Sequence, residues 1–326
     1  MARIALDAMG GDHAPQQAVL GALDAAERGV DVVLVGDETA LRAELEAAGA
    51  SLAIVHAAEV IDMAEDPAVA IRTKKGASVS VAAKLVSSGG AVGMVSAGST
   101  GAALAAAAFG IGRISGVSRP AIATIFPLGT PTVVLDVGAN IEVNAGQLAQ
   151  FAVMGSVVAQ VYLGVDDPQV GLLNIGEEES KGRDLEKEAF KLIEALPLRF
   201  AGNVEGRDLG RGIADVVVAD GFTGNVLLKT AEGTSLAVGR FIMEALAGAE
   251  DPVVQEAAKV VLPLLLQLRE RFDPEAYGGA HLVGTRGTVV IAHGSSSRVA
   301  IANALVLASE GAEHDLVGRI EAGIRG

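Results

Sequence analysis

The 326-residue sequence contains no cysteine and no tryptophan. The absence of cysteine excludes disulfide bonds, thiolate zinc sites and a cysteine nucleophile, and it is compatible with the cytosol. The sequence has 8 Phe and 2 Tyr, which is little material for stacking on unpaired bases. The formal net charge of −15 also repels phosphate backbones at long range. We therefore expect no nucleic-acid partner.

Signals for export or membrane insertion are also lacking. The N-terminal sequence MARIALDAMGGD has no secretory layout, so we expect a cytoplasmic protein. Residues 85–112 carry no formal charge and exceed the roughly 18 residues that can span a bilayer. The turn sequences SSGG and SAGSTG divide this stretch into a strand-sized and a helix-sized piece, so we interpret it as part of a globular fold.

The pattern of apolar residues predicts an α/β fold. Half of the residues are apolar, and short β-branched runs alternate with alanine-rich helical patterns. The runs are apolar on both faces, as expected for a mainly parallel sheet covered by helices on both sides. The predicted strands are RIALDA, DVVLVG, LAIVHA, AVGMVSAG, TVVLDVGAN, VGLLNIG, ADVVVAD and TVVIAHG. Helices are predicted at about residues 16–28, 38–48, 67–87, 100–109, 144–163, 183–195, 223–247 and 296–309. No repeat or linker marks a boundary, so we expect a single domain over residues 1–326.

Residues 251–274 interrupt this alternation. The segment begins with Asp-Pro, which suits a helix start, and ends at a second Asp-Pro, which suits a stop. Pro263, in the middle, removes a helical hydrogen bond and disfavours the α conformation of the residue before it. The segment is therefore predicted to be a bent helix or a helical hairpin with VLPLLL at its apex.

Glycine-rich junctions at the ends of the predicted strands are the candidate functional sites. They are DAMGGDHAP (7–15), SAGSTGA (96–102), DVGAN (136–140), NIGEEESKG (174–182), GNVEGRD (202–208), ADGFTGN (219–225) and AHGSSS (292–297). Glycine allows close approach of a ligand, and a helix start presents unpaired N–H groups to negative charge. Each junction alone is compatible with a tight turn. Together the seven favour an anion-binding site along one edge of the sheet.

Lys181 is the most informative single residue. A lysine in the first turn of a helix is opposed by the helix dipole, so nearby negative charge is expected. The three glutamates at 177–179 or a bound anion would provide it. Asp220 and Asn225 flank a Gly-Phe-Thr-Gly loop that fits either a turn or a site, and His13 and His293, beside glycines, fit structural roles when taken singly.

Several common catalytic and cofactor-binding motifs are missing. The sequence has no phosphate-binding loop of the G-x-x-x-x-G-K-[ST] type, no H-E-x-x-H, no G-x-S-x-G and no EF-hand spacing. GIGRISG at 110–116 has the wrong spacing for a dinucleotide fingerprint. The five histidines have no metal-binding spacing. We expect no metal and no cofactor.

Taken together, the motifs resemble the acyl-acyl carrier protein phosphate acyltransferases of bacterial phospholipid synthesis, the PlsX family. The match runs almost end to end, from DAMGGDHAP through LLNIGEEESKG and ADGFTGN to YGGAHLVG and AHGSSS. Ser99 is a departure, because it stands where the family's SAGNTGA has Asn. The substitution removes an amide but leaves the glycines of the loop intact.

The resemblance implies that inorganic phosphate attacks the thioester of a fatty acyl chain on acyl carrier protein. It also implies a three-layer α/β/α fold similar to isocitrate and isopropylmalate dehydrogenases and phosphotransacetylases. The expected partners are acyl carrier protein, phosphate, a second copy in a homodimer and, reversibly, the anionic inner face of the cell membrane.

The resemblance, together with position in the chain, assigns roles to the site residues. Lys181 would hold phosphate or the developing oxyanion, and Asn225 and Asn140 would be neutral donors. Asp220 would orient Lys181 or accept a proton from phosphate. The residues expected to line the same crevice are Gly10, Gly11, His13, Ser96, Gly98, Thr100, Asn203, His293 and Ser295.

The apolar apex of the 251–274 segment has two interpretations, a membrane-contacting tip or the core of a dimer. The residues expected to contact the membrane are Val261, Leu262, Leu264, Leu265 and Leu266. Two nearby basic residues, Arg269 and Arg271, would add attraction to anionic lipid. A docking patch for the acidic carrier protein is suggested to include Arg207 and Arg211.

Two other functions fit the same sequence features. The protein would be a phosphotransacetylase acting on short acyl-coenzyme A, or a non-catalytic membrane scaffold that binds acyl carrier protein. The apolar 251–274 segment argues against the first of these. Lys181 in an anion pocket argues against the second.

Overall fold

The computed structural model describes residues 2–126, 129–271 and 274–325, with the side chains of 267–271 and 274 excepted. These residues form a sheet of eleven strands in the order β3-β2-β1-β4-β11-β10-β5-β6-β9-β7-β8. The strands are β1 (Arg3–Asp7), β2 (Asp31–Gly36), β3 (Ala53–His56), β4 (Gly93–Ser96), β5 (Ala121–Phe126), β6 (Thr132–Leu135), β7 (Gln169–Leu173), β8 (Arg199–Val204), β9 (Val216–Val218), β10 (Ala280–Val283) and β11 (Thr288–Ile291).

The direction of the strands reverses at three successive pairings near the middle of this mixed, mostly parallel sheet. β10 pairs antiparallel with both β11 and β5, and β5 pairs antiparallel with β6. All other neighbouring pairs are parallel. β6 to β9 therefore run opposite to β1 to β4 and β11, and their carboxyl ends lie at the other edge of the local sheet.

Helices cover both faces of the sheet. They are α1 (Gln16–Glu27), α2 (Glu38–Ala47), α3 (Pro67–Thr73), α4 (Ser78–Ser87), α5 (Thr100–Ala106), α6 (Ala145–Tyr162), α7 (Asp184–Glu194), α8 (Gly221–Ala247), α9 (Pro252–Arg271), α10 (Pro274–Tyr277), α11 (Arg298–Glu313) and α12 (Leu316–Arg325). A π-helical turn, Ala107–Ile111, continues α5.

Alternate residues of the strands enter different cores, which explains why the predicted strands are apolar on both faces. In β1, Ile4 and Leu6 pack with α1 and α11, whereas Ala5 packs in the core that contains α4 and α5. Phe151 of α6 is fully buried in a third core, over β6 and β9. Burying such a side chain contributes about 1.5 to 3 kcal/mol. The predicted three-layer α/β/α architecture is confirmed.

α8 and α9 form a protruding hairpin, but its turn is not at the predicted apex. The chain reverses at 248–251, where Asp251 Oδ1 accepts a hydrogen bond of 2.8 Å from Val253 N and Pro252 starts α9. α9 continues through Pro263. The alternative of a hairpin reversing at VLPLLL is therefore wrong, because Gly248, the C-cap of α8, and the Asp-Pro start of α9 already supply the stop and the start.

The hairpin is little buried. Gly221 and Gly224, at its base, are the buried residues of α8. Large apolar side chains farther along are exposed, including Leu236, Phe241, Val260, Val261, Leu264 and Leu266. Among the described residues, no helix combines the length and apolarity needed to cross a bilayer.

Candidate active site

The predicted site residues, together with the buried Asp7, form two groups, which follow strands of opposite direction. The first group, which we call the Asp7 cluster, follows β1, β4 and β11 and comprises Asp7, Gly10, Gly11, His13, Ser96, Gly98, Thr100, His293 and Ser295. The second, which we call the Lys181 cluster, follows β6 to β9 and comprises Asn140, Lys181, Asn203, Asp220 and Asn225. Within the described residues, no hydrogen bond joins side chains of the two clusters. The prediction of a single sheet edge is therefore wrong locally, because β10 and β5 reverse the strand direction.

Close packing of glycines builds the Asp7 cluster. A Cβ on Gly10 would lie 2.8 Å from Gly98 N, so the loops after β1 and β4 approach each other this closely because Gly10 lacks a side chain. Gly11 has a φ of 106°, and the residue after it, Asp12, donates a 2.8 Å hydrogen bond from its N–H to Gly294 O. This bond connects the loop after β1 to the loop after β11.

Asp7 is the buried carboxyl group at the centre of this cluster. Its Oδ2 accepts a 2.7 Å hydrogen bond from Ser96 Oγ, which in turn accepts one of 3.1 Å from Gly98 N. No partner is found for Oδ1 among the described residues. Burial raises the pKa of Asp7, although hydrogen bonds from Ser78 and Ser96 act in the opposite direction.

The remaining residues of the Asp7 cluster are exposed. His293 Nδ1 and Ser295 Oγ share a hydrogen bond of 2.8 Å in the loop after β11. His13 and Thr100 lie at the starts of α1 and α5. All four are therefore accessible to a ligand at this edge.

In the Lys181 cluster, Lys181 lies in the loop before α7, which begins at Asp184. The expectation that Lys181 sits in the first helical turn is wrong. The helix dipole therefore does not oppose its positive charge as expected. Lys181 Nζ is 3.9 Å from Glu178 Oε2, and the lysine side chain is 47% exposed. Its stem passes beside Gly176, where a Cβ would lie 2.9 Å from Lys181 Cγ. The loop thus packs against one side of the Lys181 stem, and the ammonium group at the end of the side chain is accessible.

Asp220 binds Arg183, not Lys181 as predicted. Asp220 is the N-cap of α8: its Oδ1 accepts a 2.7 Å bond from Thr223 N, and its Oδ2 accepts bonds from Arg183 Nη2 at 2.6 Å and Thr223 Oγ1 at 2.9 Å. Burial raises the pKa of Asp220, but these hydrogen bonds outweigh it and hold the pKa below its ordinary value. A lowered pKa makes Asp220 a poor proton acceptor.

Arg183 is a residue of the site that our sequence analysis missed. It contacts Glu186 and Asp220 together, so it joins the start of α7 to the start of α8. The hydrogen bonds that Arg183 donates to both carboxylates raise its pKa further. The signal was present in the sequence, since Arg183 is followed three positions later by Glu186 at a helix start, the spacing of a capping interaction.

The three asparagines have different environments. Asn140 Nδ2 donates to Pro120 O at 2.7 Å and to Asp136 Oδ2 at 2.8 Å, so both amide hydrogens are used inside the protein. Asn203 is buried and bonds the 174–182 loop through Glu178 O and Asn174. Asn225 is exposed beside Gly138 and, within the described residues, makes no side-chain hydrogen bond. Of the three, Asn225 is the available donor, and Asn140 and Asn203 hold loops in place.

The described residues contain no group of three or more His, Cys, Asp or Glu side chains arranged to bind a metal ion. The accessible polar groups of the two clusters include ammonium, amide, imidazole and hydroxyl groups. Such groups bind anions and stabilise oxyanions without a metal.

Comparison with known proteins shows the family of the chain. A family model described as "Fatty acid synthesis protein" matches residues 2–319. The chain is 48% identical to the phosphate acyltransferase of Desulforamulus reducens over 325 residues, covering 98% of this chain and 97% of that protein. It is also 48% identical to the phosphate acyltransferase of Heliobacterium modesticaldum over 330 residues, covering 99% and 98% of the two chains.

The chain belongs to the PlsX family of phosphate acyltransferases. Solved structures of lower identity share the fold of this phosphate acyltransferase. A phosphotransacetylase from Streptococcus pyogenes has a TM-score of 0.62 at 18% identity, covering 96% of this chain and 94% of that one. A 4-hydroxythreonine-4-phosphate dehydrogenase from Burkholderia phymatum has a TM-score of 0.51 at 16% identity, covering 98% of both chains.

A phosphate acyltransferase forms one bond and breaks another at an acyl carbon. An oxygen of phosphate attacks the carbonyl, and the tetrahedral intermediate carries its negative charge on the former carbonyl oxygen until the leaving group departs. A cation and an amide donor near that oxygen stabilise the charge. In the Lys181 cluster, the accessible ammonium of Lys181 and the amide of Asn225 are of these two types.

Proposed function

We propose that this phosphate acyltransferase transfers a long-chain fatty acyl group from acyl carrier protein to inorganic phosphate. A phosphate oxygen forms a bond with the carbonyl carbon, and the bond between that carbon and the thioester sulfur breaks. The products are an acyl phosphate and the carrier thiol. The observation that carries the proposal is the accessible ammonium of Lys181, which has one long ion pair and lies in the same cluster as the unbonded amide of Asn225.

The reaction requires little acid or base catalysis. Phosphate near pH 7 is largely ionised, by analogy with a phosphoester second pKa of about 6, and a thiol leaving group has a pKa of about 8.5. Orientation of the two reactants supplies roughly 7 to 11 kcal/mol, and one oxyanion donor roughly 2.7 to 4 kcal/mol. No acyl-enzyme intermediate is needed. This agrees with a site in which Asp220 is engaged by Arg183 and the chain has no cysteine.

The twist of the sheet supports a shared cleft for the two clusters. β1 and β7 are separated by seven steps in the strand order and have opposite local directions. A twist of about 20 to 25° per step turns the strand direction by roughly 140 to 175°. This rotation would nearly cancel the reversal, so that the loops after β1 and β7 would point in similar directions. The Asp7 cluster would then face the Lys181 cluster across a cleft and complete the substrate site.

Phosphate-dependent release of thiol from purified protein tests the proposed reaction. We expect release from a long-chain acyl carrier protein, dependent on added phosphate, and much slower release from acetyl-coenzyme A. Preference for acetyl-coenzyme A would identify a phosphotransacetylase. Binding of acyl carrier protein without any release would identify a scaffold. Either result would contradict the proposal.

Carrier docking near Arg207 and Arg211 remains part of the proposal. Both guanidinium groups are about two-thirds exposed, at 68% and 63% of their side-chain area. Arg207 pairs with Glu205 at 2.7 Å and Arg211 with Asp208 at 3.0 Å, which reduces the charge available to an acidic partner. We therefore expect them to steer the carrier weakly rather than to fix it.

We also propose that the α8–α9 hairpin contacts the anionic inner face of the membrane, where a lipophilic product is used. Its exposed residues include Val261, Leu264 and Leu266, whereas Leu262 and Leu265 are half-buried. The side chains of Arg269 and Arg271 lie outside the described residues. The alternative is that the hairpin forms the core of the expected homodimer.

Flotation with anionic liposomes tests the membrane proposal. Leu264→Glu, alone and with Leu265→Glu, should abolish flotation, because a buried charge replaces apolar contact with lipid. Ala257→Glu is the matched control, since it adds one negative charge at an exposed position of α9. Retained flotation by the folded double variant, or loss of the dimer in light scattering instead, would assign the hairpin to a subunit interface.

A further inference from the structure

Three large apolar side chains are exposed at the carboxyl ends of three adjacent strands. Ile141 follows β6, Phe222 follows β9 and Ile175 follows β7, and these strands are neighbours in the order β6-β9-β7. Their exposed fractions are 70%, 61% and 82%. We call these three residues the apolar rim.

Each rim residue is placed by the polar residues of the Lys181 cluster. Ile141 follows Asn140, whose carbonyl accepts a 2.8 Å hydrogen bond from Gly221 N, the residue before Phe222. The backbones that carry Ile141 and Phe222 are therefore in direct contact. Ile175 N donates a 2.8 Å bond to Asn174 Oδ1, and that side chain's Nδ2 donates to Lys181 O at 3.2 Å.

Polar groups that a ligand can reach lie on the same loops as the rim. Gly176, next to Ile175, lies beside the stem of Lys181. Asn225 lies beside Gly138, and Gly138 belongs to the turn that ends at Asn140, just before Ile141. Exposed large apolar side chains therefore follow the same three strands as an accessible ammonium and amide. A molecule that satisfies both features has a polar head and an apolar tail.

We propose that the apolar rim binds methylene groups of the acyl chain beyond its fourth carbon, and so favours long-chain donors. This inference rests on the proposed function. The carbonyl oxygen would face Lys181 and Asn225, while methylenes farther along the chain would cover Ile175, Phe222 and Ile141. A second protein surface fits the rim less well, because closing it would desolvate the Lys181 ammonium, whose nearest carboxylate oxygen is 3.9 Å away.

The ratio of kcat/KM for a 16-carbon donor to that for a 4-carbon donor tests the rim. Ile175→Ser with Phe222→Ser should lower this ratio about tenfold, the effect expected from losing one or two methylene contacts in an apolar site. Both positions are exposed, so the protein should remain folded. Phe109→Ser is the matched control, because Phe109 is 73% exposed on the π-helical turn after α5; this change should leave the ratio as in the wild type.

The possible results are distinguishable. An unchanged ratio in the double variant, or an equal loss for both donors, would overturn the rim assignment while leaving the proposed function intact. An equal loss accompanied by dissociation in light scattering would assign the three residues to an interface between copies. Absence of phosphate-dependent release by the wild type with either donor would overturn the proposed function, and the rim assignment with it.

Discussion

Replacing Lys181 by alanine should lower phosphate-dependent acyl transfer at least a hundredfold while the protein remains folded. The ammonium has one ion pair in the described residues, 3.9 Å from Glu178, and the lysine side chain is 47% exposed. An exposed pair of this kind contributes about 0 to 1 kcal/mol to stability. Loss of one donor to a developing oxyanion costs a factor of about 10² to 10³ in rate. The expected loss is therefore catalytic and not structural.

Steady-state kinetics with the long-chain donor would measure this loss, together with a denaturation curve for each variant. Lys191→Ala is the control, since Lys191 is an exposed lysine in the last turn of α7. Lys181→Arg keeps the charge but changes its geometry, so it should recover part of the rate. Turnover near that of the wild type in Lys181→Ala would remove Lys181 from the mechanism.

Much of the fold follows from local patterns. The boundaries of α1, α2, α6 and α7 are within about two residues of those expected, because each has an apolar face and a distinct start or stop. The predicted helix at 67–87 is two helices, broken at 74–77 by a Lys-Lys-Gly-Ala sequence. The physical reason for this break is that glycine is unfavourable inside a helix and that the first N–H groups of α4 have no partner within the helix.

Three strands, β5, β8 and β10, and two helices, α10 and α12, were not predicted. β10 contains His281, which is 4% exposed, and a buried histidine interrupts the apolar run that would have revealed the strand. β8 includes Gly202 and Asn203, which are unfavourable in strands. α12 follows α11 after a break of two residues, at Asp315 with a φ of 51°. The reversal of the sheet depends on β10 and β5, so missing these two strands also hid the separation of the two clusters.

The candidate site was recognisable residue by residue, but its pairings were not. Lys181 and Asn225 are accessible as expected. Sequence spacing does not indicate that Asp220 binds Arg183, because the two are 37 positions apart and meet only through the packing of α7 and α8 starts. For the same reason, the use of both amide hydrogens of Asn140 inside the protein was not predictable.

Replacing Arg183 by methionine should lower the free energy of unfolding by about 2 kcal/mol at pH 7. The guanidinium pairs with Asp220 and Glu186, whose side chains are 4% and 10% exposed. Removing one partner of a fully buried pair costs about 3 to 5 kcal/mol, because it leaves a buried charge uncompensated. Since the Arg183 side chain is itself 61% exposed, water screens part of the interaction and the smaller value is expected.

The pH dependence of this loss follows from the two carboxylates. Burial raises their pKa values, but hydrogen bonds from the Arg183 side chain and from nearby N–H groups hold both below the ordinary values of about 4. Their stabilising contribution is therefore complete above about pH 4 and is lost as the pH falls through the lower pKa values of the folded protein. The difference between the wild type and Arg183→Met should thus be largest near pH 7 and should shrink below about pH 4.

Urea denaturation at several pH values measures this difference in the free energy of unfolding. Arg42→Met is the control, because Arg42 forms an exposed pair with Glu38. If both substitutions cost the same at pH 7, the Arg183 contacts do not compensate buried charge, and the starts of α7 and α8 must be held together by packing alone.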